Sequence, residues 1–200
     1  LAEESGQTGN EKSDHLWIID PLDGTSNFMR GIPHYCVSIA CLIDGRLAHA
    51  VVLDPVRQEE FTASRGRGAQ LNGHRLRVSN RIDLRECLLG TGIPFLGHEQ
   101  QRLPQYTQTL AELAGQCMGI RRAGAAALDL AYVAAGRFDG FWETGLERWD
   151  MAAGALLIKE AGGLISDLNG SERYLDNGQV VCGNPKVFKQ LLSTVGPVLR

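Results

Sequence analysis

No stretch of this sequence approaches the roughly 20 consecutive apolar residues needed to cross a bilayer, and no charged leader followed by an apolar core stands at its start. A cytoplasmic protein with no membrane partner is the expectation. Positive charge is scarce as well: 20 Lys and Arg stand against 23 Asp and Glu, a formal net charge of -3. That leaves no broad cationic surface to neutralise a nucleic-acid backbone, so nucleic acid is not an expected partner. The cysteines Cys36, Cys41, Cys87, Cys117 and Cys182 are odd in number and contain no Cys-x-x-Cys pair. This argues against zinc and against a disulfide framework, and fits free thiols in a reducing compartment. Repeats and low-complexity segments are also missing.

What is there, over 200 residues, is a chain 44% hydrophobic and 22% charged, enough apolar matter for a sizeable core. The expected organisation over residues 1–200 is one large domain, or two tightly joined halves. Its first half, residues 1–85, reads as an antiparallel meander and its second, residues 86–200, as alternating strands and helices. Residues 1–6 read as a strand end running into a loop over residues 7–14. A buried strand at 16–19 delivers Asp20 at its end. Residues 35–43 form the next strand, with Tyr35, Val37, Ile39, Cys41 and Ile43 on one face. Asp44-Gly45 and Asn72-Gly73 are hairpin signals around strands at 47–53 and 60–63. In the second half, strands are expected at 87–91, 138–143, 164–167 and 180–182. Helices are expected at 99–117 (with Pro104 in the first turn or breaking it), at 125–135, from Asp150 through 161, and from Pro185 onward.

The densest chemistry lies in Asp20-Pro21-Leu22-Asp23-Gly24-Thr25. Strand alternation would send two acids three residues apart to opposite faces, so a turn is needed to bring them together. Pro21 and Gly24 make one plausible. Converged carboxylates repel, and a hard divalent cation bound through oxygen relieves that repulsion. The amides of Gly24, Thr25 and Ser26 follow where a short helix can start, an anion seat next to a metal. On composition alone the run also fits a surface turn. It lacks the alternating acids of an EF-hand and the lysine of a P-loop. Two residues, Pro21 and Leu22, separate the acids where an Asp-x-Asp-x-Thr phosphatase has one.

A second candidate is Trp149-Asp150-Met151-Ala152-Ala153-Gly154, with Asp150 read as a helix N-cap whose free lone pairs could also ligate a metal. Glu143 is a second acid nearby, at a strand end. Asp129 and Asp139 read as structural, and His34, His49, His74 and His98 have no partner at ligand spacing.

Residues Trp17 to Phe28, with Asp20-Pro21-Leu22-Asp23-Gly24-Thr25 at their centre, resemble the first signature of the inositol monophosphatase family, and Trp149 to Gly163 resembles its second. Arg65-Gly66-Arg67-Gly68-Ala69, Leu71-Asn72-Gly73 and Gly124-Ala125-Ala126-Ala127-Leu128-Asp129-Leu130 are similar to the family too, particularly to its bacterial members. The resemblance implies an α+β fold, the layered αβαβα sandwich of the inositol monophosphatase and fructose-1,6-bisphosphatase superfamily. It implies a magnesium-dependent, lithium-sensitive phosphomonoesterase acting on inositol monophosphate, commonly a homodimer, with a small phosphorylated polyol as substrate. By position, Glu3, Asp20, Leu22 (through its carbonyl), Asp23 and Asp150 match metal ligands. Gly24 and Thr25 match the phosphate-binding amides. Glu3 and Thr25 match catalytic groups, the Thr25 hydroxyl orienting water, and Glu143, Gly124 and Ala126 match contacts to the polyol. The family's amino-terminal helical region, with an Asp-x-x-Thr-x-x-Asp stretch whose last acid partners that hydroxyl, has no match here. Other substrates of the superfamily are histidinol phosphate, fructose bisphosphate or a nucleotide 3′-phosphate. A regulatory or binding protein built on the same fold is the alternative from another class.

Overall fold

A computed structural model describes residues 1–9, 13–95 and 97–200; the middle of the loop expected over residues 7–14 lies outside them. The first half forms a six-stranded antiparallel sheet in chain order: β1 (His15–Asp23), β2 (Cys36–Ile43), β3 (Arg46–Asp54), β4 (Glu59–Ser64), β5 (Gly68–Leu71) and β6 (His74–Arg75). A short helix, α1 (Thr25–Met29), lies between β1 and β2. The two hairpin signals act as read. Asp44 and Gly45 have φ of 50° and 71°, Asn72 and Gly73 of 48° and 80°, the left-handed pairs that suit the twist of a two-residue hairpin.

The second half supplies α2 (Leu103–Ala114), α3 (Ala126–Ala134), α4 (Arg148–Glu160), α5 (Tyr174–Asn177) and α6 (Pro185–Leu199). It also supplies β7 (Leu88–Thr91), β8 (Gly119–Arg121), β9 (Gly140–Glu143), β10 (Leu164–Ser166) and β11 (Val180–Gly183), in the order β10-β11-β9-β7-β8. This sheet is mixed, because β7 runs parallel to both β8 and β9 while β9, β10 and β11 pair antiparallel.

Side-chain alternation on the second sheet divides the core. Phe141, Val180 and Cys182 face α3 and α4, while Trp142 and Val181 face α2 and α6. On their other side α3 and α4 meet Ile18, Ala40, Val52 and Phe61 of the first sheet. The described layers therefore run sheet, helices, sheet, helices, the expected α+β layering without an amino-terminal helical region. No described helix is long and apolar enough to cross a membrane. All five cysteines are free thiols.

Two details differ from expectation, and a third, the place of Pro104, decides between two alternatives. The core face of β2 is Cys36, Ser38, Ala40 and Leu42, and Val37, Ile39 and Ile43 are half-buried. Small residues occupy that face because the equally small Ala152, Ala153 and Ala155 of α4 press on it. Pro104 stands in the first turn of α2, where its missing N–H has no intrahelical partner to lose, and a single 3-10 turn, Gln100–Arg102, precedes it. Finally, α4 begins at Arg148 and Glu147 is its N-cap, so Asp150 sits inside the first turn.

Candidate metal centre and active site

Strands β1 and β2 pair in step from His15↔Ile43 to Asp20↔Ser38, after which Asp23 faces Cys36. The chain advances three residues on β1 for two on β2, which is a β-bulge. One extra residue reverses the parity of the strand, so Asp20 and Asp23 emerge on the same buried face, 2% and 8% exposed. The expected turn is thus a bulge within a strand that continues to Asp23. Pro21 falls in the unpaired stretch, where a missing N–H costs no ladder bond. Leu22 N donates to Asp20 Oδ1 at 2.9 Å and holds that carboxylate in place.

Ser38, the cross-strand partner of Asp20, donates its hydroxyl to Trp149 O at 3.1 Å and so ties the start of α4 to the first sheet. Asp150, at the third position of that helix, accepts from Glu147 N through Oδ2 at 2.8 Å. The outcome is convergence: carboxylate oxygens of Asp20, Asp23 and Asp150 all lie within 4.8 Å of one another. Glu3 arrives by a separate route. Ala2 bridges Ile19 in parallel, and Glu3 N donates to Ile19 O at 3.2 Å, which sets Glu3 beside Asp20.

Electrostatics shows what this crowding costs. Burial, then the charge of Asp20, pushes Glu3 up to about 7. Burial pushes Asp150 up to about 6 and raises Asp20. Burial, followed by the charges of Asp150 and Asp20, holds Asp23 well above the usual carboxylate range, although the Ala127 amide pulls the other way. These are hard oxygen donors that repel one another, Asp20 and Asp23 buried, Asp150 half-buried and Glu3 at the exposed edge. Such a donor set fits a hard divalent cation of the magnesium class, whose charge would reverse each of those shifts.

Beyond the bulge, Gly24 has φ 89° and precedes α1, as the anion-seat reading requires. A side chain there would be strained at that φ and would crowd His34 O at 3.0 Å and Ala125 Cβ at 3.1 Å. The Thr25 hydroxyl donates to Leu22 O at 3.0 Å, so one lone pair of the carbonyl expected to face metal is already used. Helix α3 begins without a capping side chain at Ala125. Asp23 serves instead, its Oδ2 accepting from Ala127 N at 2.8 Å. This bond places Gly124 and Ala126 beside the acids. Glu143, at the end of β9, lies against Gly92, where a Cβ would stand 1.7 Å from Oε1. Burial, then Asp129 and Asp150, raises Glu143 well above its ordinary range.

Glu3, Asp23, Gly124, Ala126, Glu143 and Asp150 line one cavity of about 300 Å³. The structure adds residues that sequence reading left aside. Asp129 and His34, read as structural and unpartnered, meet at 3.1 Å between Oδ1 and Nε2, and Asp129 also lines the cavity. Arg122 and His98 are the cationic or titratable bases in the lining. For His34 and Asp129 no local pattern could have shown the pairing, since the two stand 95 residues apart.

The model of the Inositol monophosphatase family matches residues 1–197. Among relatives, the Nus factor SuhB of Pseudomonas aeruginosa is 62% identical over 201 residues, an alignment covering 100% of this chain and 74% of that protein. The crystal structure of extragenic suppressor protein suhB from Bartonella henselae superposes with a TM-score of 0.93 at 45% identity, covering 98% of this chain and 74% of that one. The inositol monophosphatase from Anabaena gives a TM-score of 0.91 at 38% identity, covering 99% and 78%.

Proposed function

The chain belongs to the inositol monophosphatase family, and from that premise we propose that residues 1–200 act as one catalytic domain, a magnesium-dependent phosphomonoesterase that hydrolyses inositol monophosphate. The observation that carries the reading is the meeting of Asp20, Asp23 and Asp150 oxygens within 4.8 Å. Glu3, those three acids and the Leu22 carbonyl would hold magnesium. Bound there, the ion supplies positive charge that acidifies water and screens the phosphoryl oxygens.

The remaining work falls to the chain's own groups. The amides of Gly24 and Thr25 bind the phosphate. The Thr25 hydroxyl, oriented by its bond to Leu22 O, directs the water, with Glu3 close to Asp20 on the same side. Glu143, with Gly124 and Ala126, binds the polyol hydroxyls, its carboxylate occupying the space that the missing side chain of Gly92 leaves open. Water attacks directly, because no convincing nucleophile stands among the cavity acids. Lithium inhibition, a homodimer and a cytoplasmic location belong to the same proposal.

Phosphate release with magnesium from inositol 1-phosphate, histidinol phosphate, fructose bisphosphate and a nucleoside 3′-phosphate tests the substrate. The expected order puts inositol 1-phosphate first, and clear preference for the nucleotide overturns the assignment. A second reading is favoured by one finding, the name Nus factor carried by the 62% identical relative. It gives the fold a regulatory or binding role, with partners beyond small molecules. Failure to turn over all four substrates would favour it.

A further inference from the structure

We propose that Asn27 is a positioning residue that keeps the polyol-binding loop in register with the phosphate seat, an inference that rests on the phosphomonoesterase reading. Asn27 lies in α1 and is 7% exposed. Its Nδ2 stands 2.7 Å from His34 O, 2.9 Å from Ala123 O and 3.4 Å from Gly124 O. One amide group, with two protons to give, therefore ties together carbonyls from two other segments.

Steric contacts close the same joint. A Cβ on Gly24 would stand 3.1 Å from Ala125 Cβ, and a Cβ on Gly124 would stand 3.3 Å from Asn27 Nδ2. The joint thus has no room for a side chain at Gly24 or Gly124, and residues 123–126 cannot recede from it without breaking the Asn27 bonds. A phosphorylated polyol has to be held at both ends, its phosphate at Gly24 and Thr25 and its hydroxyls at Gly124 and Ala126. The spacing between those ends sets where the scissile P–O bond lies, and Asn27 reaches the polyol end only through the backbone carbonyls of Ala123 and Gly124. It acts through the backbone that forms both.

The test uses Asn27→Ala and the milder Asn27→Ser in magnesium-loaded protein. Two substrates are compared: inositol 1-phosphate, which engages both ends, and p-nitrophenyl phosphate, which offers no hydroxyl to the loop. KM for inositol 1-phosphate is expected to rise about tenfold while kcat/KM for p-nitrophenyl phosphate stays within about twofold of the parent. Amide hydrogen exchange over residues 123–128 is expected to accelerate in both variants. Equal losses on the two substrates, or unchanged exchange over 123–128, overturn the inference. A parent inactive on both substrates defeats the phosphomonoesterase reading itself, and the exchange rates then still decide whether Asn27 holds the loop.

Discussion

Asp23 accepts the Ala127 amide while crowding Asp20 and Asp150, so it both caps a helix and adds to a concentration of negative charge. An amide at this position keeps an acceptor for Ala127 and removes the charge. Asp23→Asn is therefore expected to stabilise the metal-free protein by about 1 kcal/mol, a Tm gain of about 2–4 °C, and to abolish the further rise that magnesium gives the parent. Calorimetry with and without magnesium checks both, and a variant still stabilised by magnesium contradicts the ligand assignment. The pH dependence has a definite sign. Glu3, Asp20, Asp23 and Asp150 all have raised values in the fold. Their contribution to stability is fully present below the unfolded carboxylate range near about 4 and fades as pH rises through the folded values, about 6 for Asp150 and about 7 for Glu3. Urea midpoints of metal-free protein, parent minus Asp150→Asn, should fall across that window, and added magnesium should restore the upper end. A flat difference contradicts the account. Gly92→Ala offers a third check: its Cβ would meet Glu143 Oε1 at 1.7 Å. Weaker binding of inositol 1-phosphate with unchanged magnesium stabilisation is expected from kinetics and calorimetry together.

Helices α3 and α4 carry the site between the sheets, and their approach depends on Gly154, where a Cβ would lie 2.4 Å from Leu130 Cβ. An alanine there gains at most about 1 kcal/mol of helix propensity. Overpacking costs about 1–3 kcal/mol and wins, so Gly154→Ala is expected to lower stability and, by shifting α4, to weaken magnesium binding. Denaturant titration and magnesium titration read the two effects; unchanged values in both contradict this account of the joint. Elements with local signals were legible before the structure. The Asp44-Gly45 and Asn72-Gly73 hairpins, the antiparallel meander, Pro104 in the first turn and the helix from Pro185 each follow from a residue's own dihedral limits or from short-range pattern. The bulge in β1 was not legible, because it is defined by where β2 pairs and not by Pro21 alone. Nor was the true N-cap of α4, since Asp150 and Glu147 both carry a capping carboxylate and only geometry separates them.

At the scale of the whole molecule, a modest net charge of -3 conceals a local excess of acids brought together from distant parts of the chain. Glu3, Asp20 and Asp23 come from the first sheet and its edge, Glu143 from the second sheet, and Asp150 from the helix layer between them. Residue type and spacing pointed to Asp20, Asp23 and Asp150, whereas His34 with Asp129, 95 residues apart, required the packed layers to become visible. Because the carboxylate cluster forms only where the first sheet meets helix α4, the proposed magnesium binding would report on that junction. The most direct measurement is phosphate release from inositol 1-phosphate as magnesium is varied, for the parent and Asp150→Asn. The account predicts release by the parent that vanishes on chelation, and a loss of about a thousandfold or more in the variant. Activity in Asp150→Asn equal to the parent, or a parent indifferent to chelation, would contradict it.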